Sequence, residues 1–140
     1  MRPAAPLRYV RRVANQFKKH FQLDEARALL PHLRRAFGDI HTARDQLLAY
    51  EGKLAKKQEE TGADLGGPVV NGLLRAMIAI HEALNDITSR GIHVKDIDRG
   101  LVDFPHIRKG REVFLCWELE EDDIEFWHDV DTGYPGRERL

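Results

Sequence analysis

Between residues 24 and 60 the apolar positions repeat with the period of an amphipathic helix. One row recurs every seven residues and comprises Leu33, Ile40, Leu47 and Leu54, while a second row begins at Leu30 and Phe37 and then weakens. Two rows offset in this way form one apolar seam along a helix. Pro31 lacks a backbone donor and predicts a kink near the helix start. A single helix of this length needs a packing partner in water.

A second helix supplies that partner. Residues 61–68 contain three glycines and a proline, which predicts a turn and a new helix opening at Pro68 or Val69. Gly91 follows Arg90 as a stop signal. Two apolar rows lie between these points, Val70, Met77 and Leu84 in one and Leu73, Ile80 and Ile87 in the other. The pattern predicts a long antiparallel helical hairpin over residues 24–90, with roughly 20 Å of the first helix projecting beyond the second.

After Gly91 the apolar pattern changes to the period of a strand. Three strands are predicted at 101–104, 112–119 and 124–130, with turns at 105–110 and 120–123, which gives an α+β fold ending in a small three-stranded antiparallel β-meander. In the middle strand one face carries Val113, Leu115, Trp117 and Leu119, and the other carries Phe114 and Cys116. In the last strand His128 shares a face with Ile124, Phe126 and Val130, opposite Trp127. Because both faces of the sheet are apolar, the second must be covered by the basic amino-terminal arm or by a dimer partner.

The 140 residues fit one domain. We divide them into a basic extension (1–20) and a domain (21–140) composed of the hairpin (24–90), a β part (92–131) and a turn segment (132–140). The pattern from 7 to 21 fits either a short helix or an extended segment. No apolar run has the length of a bilayer span or of a secretory signal, and the chain has one cysteine, so we expect a cytoplasmic protein.

The net charge of −1 conceals two charged segments. Residues 1–23 carry six basic side chains and no acid, whereas residues 112–131 carry nine acids and no Lys or Arg. The two segments can attract each other or bind outside partners, and charge alone does not choose between these interpretations. Contact with nucleic acid or an anionic membrane through residues 2–19 is less favoured, because the arm carries few charges for binding at physiological salt.

A polar stretch around residues 93–103 is the first candidate site. Asp96 and Asp98, with His93, have oxygen and nitrogen ligands for a divalent metal ion, although their spacing is not that of a calcium loop. The alternative is that the two aspartates shape a turn through backbone amides. No cofactor is predicted beyond this metal ion.

The second candidate site lies between the 96–103 loop and the 128–137 segment. His128 beside Asp129 and Asp131 suggests a general base, but strand neighbours point to opposite faces, so a core histidine with one backbone partner is favoured. A sharper hypothesis pairs His128 with an acid of the 96–103 loop. Arg99 and Arg137, with Arg111, each lie beside a glycine. If they converge they fit a site for a phosphate or carboxylate, and otherwise they tie down turns through nearby acids. Asp103, at the end of the polar stretch, is counted with the ligand-binding residues of this second site.

Cys116 lies in the middle strand and is expected to pack as a small apolar group. No Cys-His catalytic motif surrounds it. The sequence also lacks a glycine-rich phosphate loop, a G-x-S-x-G motif and an H-E-x-x-H motif. No motif therefore fixes a reaction.

Several stretches together resemble one known family. They are FQLDEARALLP at 21–31, VKDIDRGLVDFP at 94–105, GREVFLCW at 110–117 and WHDVDTGYPGR at 127–137. In this order they resemble the bacterial proteins grouped as domain of unknown function 2203. The resemblance implies a helical hairpin with a small β part and no known activity. Family members often have Thr or Ser where Gln22 stands, and the basic segment before Phe21 is an extension.

Two functions remain open at this point. The projecting helix and the two-sided sheet favour a protein-interaction module, expected to form a homodimer. The polar groups of the second candidate site favour a protein or enzyme that binds a small molecule, an anion or a metal ion.

Overall fold

The computed structural model describes residues 15–61 and 67–140, without the side chain of residue 61. Three helices come first: α1 (Leu23–Ala28), α2 (Leu30–Thr61) and α3 (Gly67–Ser89). Five strands follow: β1 (His93–Asp96), β2 (Leu101–Arg108), β3 (Arg111–Trp117), β4 (Phe126–Asp129) and β5 (Glu138–Arg139), with a 3-10 turn at Tyr134–Gly136. The predicted α+β class is confirmed.

The helix breaks where Pro31 predicted a kink. α1 ends at Ala28 and α2 begins at Leu30. Pro31 has no N–H to donate to the carbonyl one turn earlier, so a continuous helix would lose a hydrogen bond here. At the start of α1 the Glu25 carboxylate accepts a hydrogen bond from the backbone N–H of Gln22 at 3.2 Å. This carboxylate therefore satisfies one backbone donor at the helix start.

The contacts between α2 and α3 run in the antiparallel sense. Near one end His32 Nε2 lies 2.5 Å from Asp86 Oδ2. Further along α2, the Tyr50 ring lies against Gly72, where an added Cβ would come within 2.3 Å of the ring. Early α2 thus meets late α3, and later α2 meets early α3. The connection at residues 62–66, where the turn was predicted, lies outside the described residues.

The predicted seam of α2 is buried in its first half, where Leu33 and Ile40 are fully covered. On α3 the predicted row is wrong at Met77, which is 50% exposed. The buried residues of α3 are Ile87, as predicted, and Gly72 and Ala76, which belong to neither predicted row. Small residues let two helices approach closely, and this contact turns Met77 away from α2.

The strands form one antiparallel sheet in the order β1-β2-β3-β4-β5. The predicted three-stranded sheet is therefore wrong in strand number. β1 has the polar sequence HVKD and β5 has two residues, so neither shows an apolar strand pattern. The turn predicted at 105–110 is also wrong, because β2 continues to Arg108.

Pro105 is tolerated within β2 because its backbone faces away from β3. Its carbonyl accepts a hydrogen bond from the Phe21 N–H at 2.7 Å, on the edge that β1 does not reach. The nitrogen of a strand residue points to the same side as its carbonyl, so the missing proline N–H removes no bond to β3.

The helices cover the inner face of the sheet. The core there combines buried helix residues such as Leu33 and Phe37 with the inner row of β3, Val113, Leu115 and Trp117. The predicted faces of β3 are thus confirmed. Ile124, which was expected to share the face of His128, lies in this core instead. It precedes β4, so strand alternation does not apply to it.

The amino-terminal arm reaches the outer face. Residues 15–22 are not helical, so the helix considered over 7–21 is wrong for its described part. Phe17 packs against His93 and Phe114 at ring distances of 5.1 Å. Glu112 accepts backbone hydrogen bonds from Gln16 and Phe17. Part of the outer face is therefore covered by the arm, while residues 1–14, with all four of its arginines, lie outside the described residues.

Among the helices described, none combines the length and the apolar character needed to cross a membrane.

Candidate functional site

Three neighbouring strands each place one metal-ligating side chain on the outer face of the sheet. Asp103 on β2 lies directly opposite Cys116 on β3, and His128 on β4 lies opposite Phe114, two residues before Cys116. Residues paired across antiparallel strands share a face, and diagonal pairs remain within reach. One ligand atom from each of the three residues lies within 4.8 Å of the other two.

This cluster is buried. Cys116 is 0%, His128 2% and Asp103 3% exposed. Burying a carboxylate or an imidazole costs free energy unless each polar atom finds a partner. Here His128 Nε2 lies 2.9 Å from Asp103 Oδ1, and His128 Nδ1 lies 2.7 Å from the carbonyl oxygen of Asp129. Both ring nitrogens are therefore engaged.

The partners of His128 determine its tautomer. A carbonyl oxygen only accepts, so Nδ1 carries a proton and donates it to Asp129. Nε2 forms a hydrogen bond with the Asp103 carboxyl group, and His128 and Asp103 share the one proton of that bond. Burial alone would lower the pKa of His128, but the hydrogen bonds to Asp103 and Asp129 outweigh it and raise the pKa above its ordinary value.

Cys116 is a protonated thiol at neutral pH in the metal-free protein. Burial raises its pKa to about 12, and the neighbouring Asp103 carboxylate adds to the shift. A catalytic cysteine needs a lowered pKa and a base that takes its proton. Both nitrogens of His128 already have partners, so this arrangement does not support a cysteine nucleophile.

The same three groups suit a metal ion. A carboxylate, a thiolate and an imidazole nitrogen are the ligand types that zinc binds in proteins. A metal-binding histidine usually donates its second ring N–H to a carbonyl or carboxylate, as Nδ1 of His128 does to Asp129. Within the described residues, this is the one group of three His, Cys or acidic side chains close enough to share an ion.

The cluster opens into a pocket of about 240 Å³. Leu101, Phe114 and Val130 provide apolar walls, and Gly133 and Tyr134 complete its rim. Lys95 of β1 is the cationic side chain at this pocket. A molecule in the pocket would therefore lie beside the three ligand groups, between apolar walls and one ammonium group.

Comparison with known proteins identifies the family. Residues 19–140 match the family described as "Uncharacterized conserved protein (DUF2203)". The chain belongs to the DUF2203 family. The family description names no function. No curated protein matches the chain, and no solved structure matches it either.

In this DUF2203 chain the three residues predicted as metal ligands do not come together. The His93 ring packs between Phe17 and Phe114. Asp96 accepts a hydrogen bond from the Arg99 N–H at 3.1 Å, as expected for a turn. Asp98 forms an ion pair with Arg44 of α2.

The arginines predicted as anion ligands each pair with an acid. Arg99 binds Glu118 at 2.6 Å, and Arg111 binds Asp129 at 2.7 Å. Arg137 donates to both carboxylate oxygens of Glu121, at 2.7 and 2.6 Å. These contacts fit the alternative in which arginines tie down turns. Asp131 is exposed.

Two of the predicted ligand-binding residues, Asp103 and His128, do meet. Their pairing is the sharper of the sequence hypotheses for His128. Cys116, the third member, was not predicted as a ligand, because its position in the middle strand indicated a small apolar group. A usable signal was present: Asp103, Cys116 and His128 each interrupt the outer face of a strand with a group that binds metals.

Proposed function

We propose that this DUF2203 protein binds a divalent transition-metal ion, of which zinc fits best, and exposes it to a small molecule. The observation that carries the proposal is the meeting of three buried ligand atoms within 4.8 Å at Asp103, Cys116 and His128. This cluster supports the second of the two functions that the sequence left open, a protein that binds a small molecule or a metal ion.

The cost of burying these groups supports a metal role. Well-packed apolar residues at such positions are often as stable as a buried charged pair, or more stable. A bound ion replaces the proton shared by Asp103 and His128 and the thiol proton of Cys116, and it bonds to all three. Structural zinc sites have four protein ligands, whereas three leave a position open, as in catalytic zinc sites. All three residues line the pocket, so a molecule bound there could take that position.

Metal titration tests this proposal. Protein stripped with EDTA is titrated with Zn²⁺ against a chromophoric chelator, and with Co²⁺ under absorption spectroscopy. One ion per chain is expected, with a thiolate-to-cobalt charge-transfer band. Cys116→Ala should abolish that band, and Asp103→Asn should weaken binding at least about ten-fold. His93→Gln, on the same sheet face, should bind like wild type.

Far-UV circular dichroism shows whether each variant is folded. Wild-type protein that takes up no ion would contradict the proposal. So would a folded Cys116→Ala variant with wild-type zinc affinity. Loss of binding in His93→Gln alone would favour the metal site predicted at His93, Asp96 and Asp98.

Self-association is a second candidate function, carried by an exposed apolar patch on α3. Leu74, Met77 and Ile78 are 48%, 50% and 54% exposed. They lie three and four residues apart and so share one side of the helix. We propose that α2 and α3 form an antiparallel coiled-coil hairpin and that two copies pair through this patch, because exposed apolar patches mark interfaces.

Light scattering tests the homodimer. Wild type is expected to have the mass of a dimer at micromolar concentration, and Ile78→Glu that of a monomer. Ala79→Glu is the matched control, because Ala79 is exposed on another side of α3. A monomeric wild type, or an Ile78→Glu variant that stays dimeric, would rule out this interface.

We also propose that the protein is located in the cytoplasm. Cys116 is the only cysteine of the chain and is a free thiol. A buried reduced thiol that binds metal supports the cytoplasm, where thiols stay reduced.

A further inference from the structure

We infer that the metal-loaded pocket binds a small monocarboxylate, with Lys95 pairing with its charge. This inference rests on the metal centre proposed above and names the ligand class that its open position takes. The observations that carry it are the charge of the pocket, the nature of its walls and its size.

The loaded centre is electrically neutral. A divalent ion contributes two positive charges, and the Asp103 carboxylate and the Cys116 thiolate each contribute one negative charge. His128 is neutral when Nε2 binds a metal, since Nδ1 keeps its proton for the Asp129 carbonyl. The ligands therefore offset the ion completely, and the charge of the pocket is set by the other groups around it.

Lys95 supplies that remaining charge. Its ammonium group lies 5.6 Å from the centre of the Phe114 ring, above the pocket wall. No carboxylate of the described residues forms an ion pair with Lys95. Glu118 instead binds Arg99 and accepts a hydrogen bond from Tyr134 at 3.2 Å. The loaded pocket thus carries one net positive charge and favours a monoanion.

The walls restrict the rest of the ligand. Leu101, Phe114 and Val130 present apolar surface, which favours a hydrocarbon group over a second polar one. The volume of about 240 Å³ lies below the range of drug-sized pockets, roughly 300–1,000 Å³. A carboxylate with a short chain or a small ring meets both conditions. One of its oxygens can take the open coordination position while the ammonium group of Lys95 balances its charge.

The test uses the cobalt-loaded full chain and follows the visible absorption of the ion. Butyrate is expected to change this spectrum in a saturable way. Butyramide, which has the same shape and no charge, should bind at least about ten-fold more weakly. Lys95→Gln should weaken butyrate binding by a similar factor while leaving cobalt affinity within about two-fold of wild type. Lys56→Gln, an exposed lysine on α2, is the matched control and should change neither.

The outcomes separate this inference from the proposed function. Protein that takes up no cobalt contradicts the metal centre itself. The carboxylate site is overturned if butyrate does not change the absorption of cobalt-loaded protein, or if the Lys95→Gln variant binds butyrate like wild type. Neither result contradicts the metal centre. Chloride producing the same change as butyrate at equal concentration would also overturn it, because an inorganic anion would then suffice.

Discussion

Gly100 shows how one residue fixes the approach of the sheet to α2. It has a φ of +60°, a conformation that residues with a Cβ adopt only at a cost. A Cβ at this position would lie 2.7 Å from the Cβ of Leu119 and 3.4 Å from the Phe37 ring. The Cβ of Leu119 is attached to the backbone and cannot rotate away. Both the turn before β2 and its packing on α2 therefore require glycine here.

We expect Gly100→Ala to lower the free energy of unfolding more than Gly110→Ala. Gly110 also has a positive φ, +77°, but nothing lies within 4 Å of its added Cβ. Backbone strain alone should cost about 1 kcal/mol at Gly110, and overpacking should add about 1–3 kcal/mol at Gly100. Urea denaturation measures both. Equal losses in the two variants would show that the contact with Leu119 relaxes freely.

At the scale of elements, the contact of the amino-terminal arm with β3 depends on one carboxylate. Glu112 accepts backbone hydrogen bonds from Gln16 and Phe17 and lies 2.9 Å from His20 Nε2. Burial alone would raise the pKa of Glu112, but the hydrogen bonds from Gln16, His20 and Phe17 outweigh it and lower the pKa. The ionised form is thus the one that holds the arm.

This contact should depend on pH. A carboxyl group whose pKa is lowered on folding stabilises the protein above its unfolded pKa, and the effect disappears as the pH falls through the lowered pKa. We expect Glu112→Gln to lower the free energy of unfolding by about 1 kcal/mol at neutral pH. The difference from wild type should shrink as the pH falls below 4.5, the ordinary glutamate value, and vanish below the lowered pKa of Glu112. Urea denaturation across this range measures it, and Glu120→Gln, at an exposed acid, should behave like wild type.

Part of this element structure could be predicted from the sequence. The helices follow from long apolar repeats, and the break at Pro31 follows from a missing donor. β1 could not be predicted because its HVKD sequence is polar and its pairing with β2 is what orders it. Pro105 was interpreted as a turn residue because the sequence does not show which edge of β2 is free of a neighbour.

The candidate site was predictable only in part for the same reason. Asp103 and His128 were recognised as polar groups able to meet. Their contact, and the addition of Cys116, depends on strand register, which sets Asp103 opposite Cys116 and His128 opposite Phe114. A shift of one residue would send any of these side chains to the other face.

At the scale of the molecule, the proposed ion would join three strands of one sheet. Zinc at a hundred-fold excess over its dissociation constant should stabilise the folded chain by about 2.7 kcal/mol. For a chain of this size the midpoint of thermal unfolding should rise by about 10 °C. Differential scanning calorimetry with and without zinc measures the shift.

Two controls show whether the rise in the thermal midpoint comes from zinc at this site. Mg²⁺ should leave the midpoint unchanged, because it prefers oxygen ligands over a thiolate and an imidazole. The Cys116→Ala variant should show no zinc-dependent rise. An equal rise in this variant would place the stabilising ion elsewhere on the chain.

The three candidate ligands come from consecutive strands of a sheet whose spatial order follows the chain. The centre is consequently encoded in one short continuous segment, and a gene could gain or lose it through changes at three codons while the helical layer stays as it is. Related chains could then keep the same scaffold while differing in whether they hold an ion. Comparing the residues at these three positions would divide such chains into two chemical groups.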